Sequence, residues 1–130
     1  LSTGGTGTGE LYNGGDARVL GIEASARWRP FHIAYTFTDA QFQNTFQSQY
    51  GPWGNVAKGD ELPYAPTHQL YAAMDVEGRL WRARIDATAI SRMRTVAGAG
   101  PLVDLRSTDA TFTVGASADY TLTPSARLFA

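Results

Sequence analysis

His32 and His68 are the two side chains of this chain suited to acid–base work near neutral pH. Neither is placed for catalysis. No serine or aspartate stands at a spacing that builds a triad with either, and a lone histidine without a clustered partner holds no metal. Cysteine is absent, which excludes thiol chemistry and disulfides. The Gly-Thr run Leu1 to Gly9 lacks a GK[ST] ending and precedes no helix, so it is no phosphate loop. The chain therefore reads as no enzyme and calls for no cofactor.

Three other groups could do binding chemistry. Arg92, Arg94 and Arg106 flank a long loop. Their planar forks suit carboxylate-bearing anions, so they could attract an anionic ligand. They could equally pair with Asp104 and Asp109, or with anionic lipopolysaccharide. Tyr50, Trp53 and Tyr64 lie in another long loop and could stack on a ligand or pack the loop on itself. Lys58, Asp60 and Glu61 read there as ordinary surface charges. Glu23, Arg27, Arg82, Arg84, Asp86 and Asp119 form the third group. Each sits on the polar parity of an alternating segment, either lining a charged cavity or pairing along a solvated wall.

The elements that position them follow from alternation. In Ala17–Ala40, residues Leu20, Ile22, Ala24, Ala26 and Trp28 share one parity, and Val19, Gly21, Glu23, Ser25 and Arg27 the other. Side chains alternate across a strand, so this is a strand with one apolar face. Arg29-Pro30 breaks it. Phe31, Ile33, Tyr35 and Phe37 then resume the apolar parity against His32, Ala34, Thr36 and Thr38. The expected strands are Ala17–Arg29, Phe31–Phe42, His68–Glu77, Leu80–Ser91 and Thr108–Leu122, with Ala126 opening a sixth. Gly78-Arg79 and Pro124 are expected to turn the chain, and Leu1–Asp16 to be a mobile loop.

Bulk properties agree with membrane-crossing strands. Formal net charge is -1, giving no electrostatic case for nucleic acid. Charged residues are 18%, below the usual level of about 25%. No apolar run approaches the ~20 residues of a spanning helix. Mean hydropathy of -0.23 does not exclude a barrel, where only alternate residues face lipid. Long and short connections alternate, as in outer-membrane barrels with short periplasmic turns and long outer loops. Trp28, Phe31, Trp81 and Tyr120 fall beside the short turns on the apolar parity, the level of an interfacial girdle. The reading is all-β: an antiparallel transmembrane β-barrel segment of about six strands. An open edge in lipid leaves backbone groups unpaired, so neighbouring strands must come from elsewhere. A soluble β-sandwich binding module and a small structural or adhesive barrel are the competing readings.

Tyr12-Asn13-Gly14, Ala17-Arg18-Val19 with Gly21-Ile22-Glu23, Tyr35, Asp39-Ala40 and Phe42, then Gly59, Leu62-Pro63, Pro66 and His68, then Gly98, Gly100-Pro101 and Tyr120-Thr121-Leu122 occur in order. From Tyr12 onward the chain resembles the C-terminal part of the barrel of a TonB-dependent outer-membrane receptor, closest in flavour to the ferric-citrate type. The resemblance implies a 22-stranded barrel in the outer membrane of a Gram-negative bacterium, filled by an N-terminal plug. It implies uptake of a ferric siderophore or similar scarce ligand, energised by a TonB complex. The expected partners are outer-membrane lipid, the rest of the barrel, its plug, TonB and an anionic ferric chelate at Arg92, Arg94 and Arg106. Residues 1–130 are expected to be a partial barrel domain, with the plug and final strands absent.

Overall fold

Alternation decides which side chains share a face, and tight turns decide the register. The computed structural model describes residues 2–3, 11–12, 15–123 and 126–130. Its strands are β1 (Ser2–Thr3), β2 (Leu11–Tyr12), β3 (Ala17–Trp28), β4 (Phe31–Phe42), β5 (Phe46–Gln47), β6 (Asn55–Val56), β7 (His68–Glu77), β8 (Trp81–Ile90), β9 (Thr111–Thr123) and β10 (Ala126–Phe129). A single 3-10 turn, Asp104–Arg106, is the only helical element among the described residues. Six strands form one antiparallel sheet in the order β10-β9-β8-β7-β4-β3. The five long ones have 10 to 13 residues, enough for the ~9–11 that a tilted membrane strand needs.

The register places like faces together. Around Arg29-Pro30, whose peptide is cis, β3 pairs β4 from Trp28↔Phe31 out to Ala17↔Phe42. Ile33↔Ala72, Ala72↔Ala87 and Ala87↔Val114 then carry the apolar row across β7, β8 and β9. The opposite face carries rows such as Arg27↔His32, His32↔Ala73, Ala73↔Asp86 and Asp86↔Gly115.

Several local expectations are corrected. The turn between β7 and β8 is Arg79-Leu80, one residue later than Gly78-Arg79, because Gly78 N donates to Trp81 O at 2.8 Å. The shift moves partners by two, so the faces are unchanged. Arg29, Leu80 and Ser91 lie just outside the strands. The fifth long strand begins at Thr111 rather than Thr108. There the chain pairs elsewhere first: Thr108 N donates to Met93 O at 2.9 Å and Thr95 N to Arg106 O at 3.0 Å. In the glycine-rich start, Ser2–Thr3 pairs with Leu11–Tyr12. Asn13, Gly14 and Pro124 lie outside the described residues, as does most of that start.

The sheet is a single layer. Among the described residues the buried hydrophobic ones are Ala40, Phe42, Val56 and Ala73. Trp28 is 80%, Phe112 70% and Ile22 66% exposed, all on the apolar face. A sandwich covers that face with a second sheet about 10 Å away, and the described residues supply none. A patch of this extent is instead the mark of an apolar environment.

Candidate functional site

The polar face divides along its length. Near the short turns it is charged. Arg84, on β8, has its guanidinium between Asp75 at 3.3 Å and Asp86 at 3.8 Å and also donates to the Tyr71 hydroxyl. Asp75 is its register partner on β7. Asp86 lies against Gly115, where a Cβ would come within 3.1 Å of both carboxylate oxygens. Glycine at that position lets the carboxylate lie flat along the wall. Arg82 approaches Glu77 at 3.9 Å, and His32 meets the Tyr71 ring edge-on at 5.8 Å. Arg84, Asp75, Arg82, Glu77 and His32, together with Arg27, Arg29 and Asp119, line a cleft of about 540 Å³. Arg27 and Arg29 have no ion-pair partner among the described residues, so the cleft offers free cations beside paired ones. Toward the other end the same face turns neutral, with Ser25, Ala34, Tyr71, Thr88 and Thr113 in one row and Thr36 and Gln69 in the next. Glu23 is the charge within that zone.

At the long-loop end the chain returns to pair with the end of β4. Segment 59–62 runs beside the end of β4: Phe42 N donates to Asp60 O at 2.8 Å, Gly59 N to Phe42 O at 2.8 Å and Leu62 N to Ala40 O at 2.9 Å. Ala40 and Phe42 are on the polar parity and both are buried. Phe42 then anchors an aromatic cluster. Its ring meets Phe46 at 5.3 Å and Trp53 at 6.0 Å, and Trp53 meets Tyr50 at 5.2 Å, all edge-to-face. Tyr50 and Trp53 thus pack the loop on itself, while Tyr64 remains 56% exposed.

The second long loop, 91–110, is tied to the first. Arg94 is the one buried charged residue described, at 7% exposure. Its Nε donates to Glu61 Oε2 at 2.7 Å, and its guanidinium also reaches the Gly100 carbonyl. Glu61 N donates to Gly98 O at 2.9 Å and Tyr64 N to Arg94 O at 2.8 Å. Arg92 is spent differently, on Asp104 at 2.6 Å and Ser107 at 2.8 Å. Of the three arginines only Arg106 has no ion-pair partner among the described residues. They do not converge on one point.

The apolar face ends in rings at the short turns. Trp28 pairs with Phe31 and Trp81 with Tyr120. His68 lies on this same face at the long-loop end, where its Nδ1 is 2.8 Å from the Tyr35 hydroxyl and its ring 5.6 Å from Phe37. It is spoken for by neighbouring rings. No group of three or more His, Cys, Asp or Glu among the described residues could hold a metal ion.

A six-stranded antiparallel sheet with a bare apolar face, a charged opposite face and long loops at one end has a matching family. The family described as TonB dependent receptor-like, beta-barrel covers residues 1–130. The chain belongs to this family. Curated proteins and solved structures give no match. TonB-dependent receptors are receptors and transporters of the Gram-negative outer membrane, and the sheet is a segment of such a barrel.

Within this receptor segment, two partners escaped the sequence. Glu61 looked like a surface charge because its partner is 33 residues away, and no local pattern links them. Asp75 escaped because the expected Gly78-Arg79 turn sets Ala73 opposite Arg84, whereas the Arg79-Leu80 turn sets Asp75 there. The Glu61–Arg94 pair can be weighed. Glu61 is 47% exposed, and Glu61→Ala is expected to cost the loops about 1.5–3 kcal/mol, the range for a hydrogen bond to a charged group. Faster protease cleavage within 43–67 on outer-membrane preparations is the expected readout. Unchanged cleavage would mean that the pair does not hold the loops.

Proposed function

We propose that the chain is part of an outer-membrane receptor that takes up a ferric siderophore or a similarly scarce chelate, with energy from a TonB complex. The observation that carries the reading is the single-layer sheet: its apolar face suits lipid, and its charged face suits the inside of a wide barrel. In this reading Glu23, Arg27, Arg82, Arg84, Asp86 and Asp119 face the lumen. The cleft beside Arg27 and Arg29 then receives the plug, whose acidic groups complement the unpaired guanidinium forks. Trp28, Phe31, Trp81 and Tyr120 lie at the periplasmic interface. The latched loops stand at the outer mouth, with Arg106 and Tyr64 as their exposed ligand-contact candidates.

Growth in iron-depleted medium tests the reading. Deleting the gene is expected to lower uptake of at least one radiolabelled ferric chelate more than tenfold, and dissipating the proton gradient should abolish the same uptake in the parent strain. Uptake of every chelate at parental rates would leave a structural or adhesive barrel as the better account.

A further inference from the structure

We infer that the short-turn rim of the sheet carries a headgroup site for an aminophospholipid of the inner leaflet, in which Arg79 and Arg127 hold the phosphate and Asp119 the ammonium. The site is a notch of about 220 Å³ at the end of the wall. A step in the rim builds it. The β7–β8 connection ends at Leu80, and Trp81 at the foot of β8 pairs with Tyr120. β9 runs on past that level to Thr123, with Thr121 N donating to Leu80 O at 2.7 Å. β10 returns beside it and sets Arg127 against Thr121. Arg79 from one turn and Arg127 from the next hairpin therefore line the same recess. Glycine shapes its wall. A Cβ at Gly78 would run into the Trp81 indole at Nε1, so glycine lets that ring fold back over the turn.

Charge in the notch is open in both senses. Arg82 is the register partner of Asp119, yet it reaches Glu77 instead, at 3.9 Å. The side chains of Arg79, Arg127 and Asp119 have no ion-pair or hydrogen-bond partner among the described residues. Open forks beside an open carboxylate suit a ligand that carries an anion and a cation close together. Phosphate oxygens match the planar guanidinium forks. A primary ammonium offers a carboxylate three N–H donors. Phosphoethanolamine has both groups on one short arm. A glycerol headgroup lacks the cation, and a choline headgroup lacks the N–H donors.

Location favours a lipid over a free solute. The Trp81–Tyr120 pair stands at the interfacial level, and the notch begins directly beyond it, at headgroup depth. Leu122 and Leu128 lie on the apolar parity with Tyr120, Leu128 as its register partner, and both are exposed. Acyl chains can run along that face while the headgroup turns under the rim. Basic pockets at a membrane surface take lipid headgroups in this way. The notch shares Glu77, Arg82 and Asp119 with the cleft beside Arg27 and Arg29, so Asp119 stands where the lumen wall meets the lipid site. The site requires the orientation proposed above, with short turns toward the periplasm, and is independent of the ligand taken up.

Native mass spectrometry of the full receptor in detergent tests the site. Phosphatidylethanolamine, phosphatidylglycerol and phosphatidylcholine of equal chain length are the probes, and heat-modifiability shows that each variant is folded. Phosphatidylethanolamine is expected to be retained most strongly. Arg79→Gln combined with Arg127→Gln should weaken its retention about tenfold or more, as for loss of hydrogen bonds to a charged group. Asp119→Asn should lower it only to the phosphatidylglycerol level. Equal retention of the three lipids by the parent, or no loss in the double variant, would overturn the site. Displacement of the lipid by inorganic phosphate alone would overturn it in favour of a free-anion site. Orientation is read separately, from Arg79→Cys and a maleimide that does not cross the outer membrane. Labelling only after that membrane is permeabilised places the short turns in the periplasm, and absent retention then condemns the lipid site alone. Labelling of intact cells would place the turns outside and overturn both.

Discussion

Arginine at Ala87 is expected to destabilise the barrel by about 2–4 kcal/mol, the cost of a cationic side chain on the lipid face at mid-bilayer. Arginine at the adjacent Thr88 is expected to change stability by only about 0.5 kcal/mol, as for a substitution with access to water. The two positions are neighbours on β8 and point to opposite faces. Ala87 pairs with Ala72 and Val114, in a row of apolar residues. Thr88 pairs with Tyr71 and Thr113, on the face that carries the charges. Both lie well inside the strand, four or more residues from the Trp81–Tyr120 level. Propensity, length and strand pairing are nearly the same for both substitutions, so the difference isolates the environment. The readout is the amount of heat-modifiable folded receptor in outer membranes, followed by its urea midpoint after extraction into lipid. Equal losses at the two positions would mean that the faces do not divide into lipid and water, and the barrel orientation would fall.

The faces were legible because they follow from parity alone. An error of two residues in the Arg79-Leu80 turn left every side chain on its proper side, since a strand has a period of two. Arg29-Pro30 marks the break between β3 and β4 for a simpler reason: proline removes a ladder donor and stops the strand, although β3 ends at Trp28 and not at Arg29. The outer loops were illegible for the opposite reason. Their structure comes from contacts between segments far apart in the chain, with no periodicity to announce them. The start of β9 shows this. Thr108 and Ala110 fit the alternating pattern, yet the segment 106–108 pairs with 93–95 instead. A parity rule cannot detect a better partner. The arginines fail in the same way. Composition marks Arg92, Arg94 and Arg106 as anion binders, while the structure gives Arg92 an aspartate and Arg94 a glutamate from another loop. The charges that composition counts as available are partly consumed inside the molecule, and the exposed remainder is what a ligand can meet.

The wall chemistry bears on how a plug could be held and released. Arg84 has three partners, so removing it would leave Asp75 and Asp86 without their shared cation. Arg27 and Arg29 are the forks left open. An occupant with carboxylates opposite these two can dissociate without stripping the wall of its own pairs. Under the proposed function this asymmetry favours a plug contact that is reversible and salt-dependent, because exposed pairs are screened within about 8–10 Å at physiological ionic strength.

Replacing Phe42 by alanine should produce the largest local loss, about 3–5 kcal/mol, the usual cost of truncating a buried phenylalanine. Its side chain is 2% exposed and stands at the centre of the cluster with Phe46 and Trp53. Its backbone belongs to β4 and pairs with Ala17, so the strand ladder itself survives the substitution. The loss should therefore fall on the loop rather than on the barrel. Heat-modifiability is expected to persist, cleavage within 43–67 to accelerate, and Trp53 emission to shift to the red as its edge-to-face partner disappears. If cleavage and emission stay at parental values, the aromatic cluster does not hold the loop.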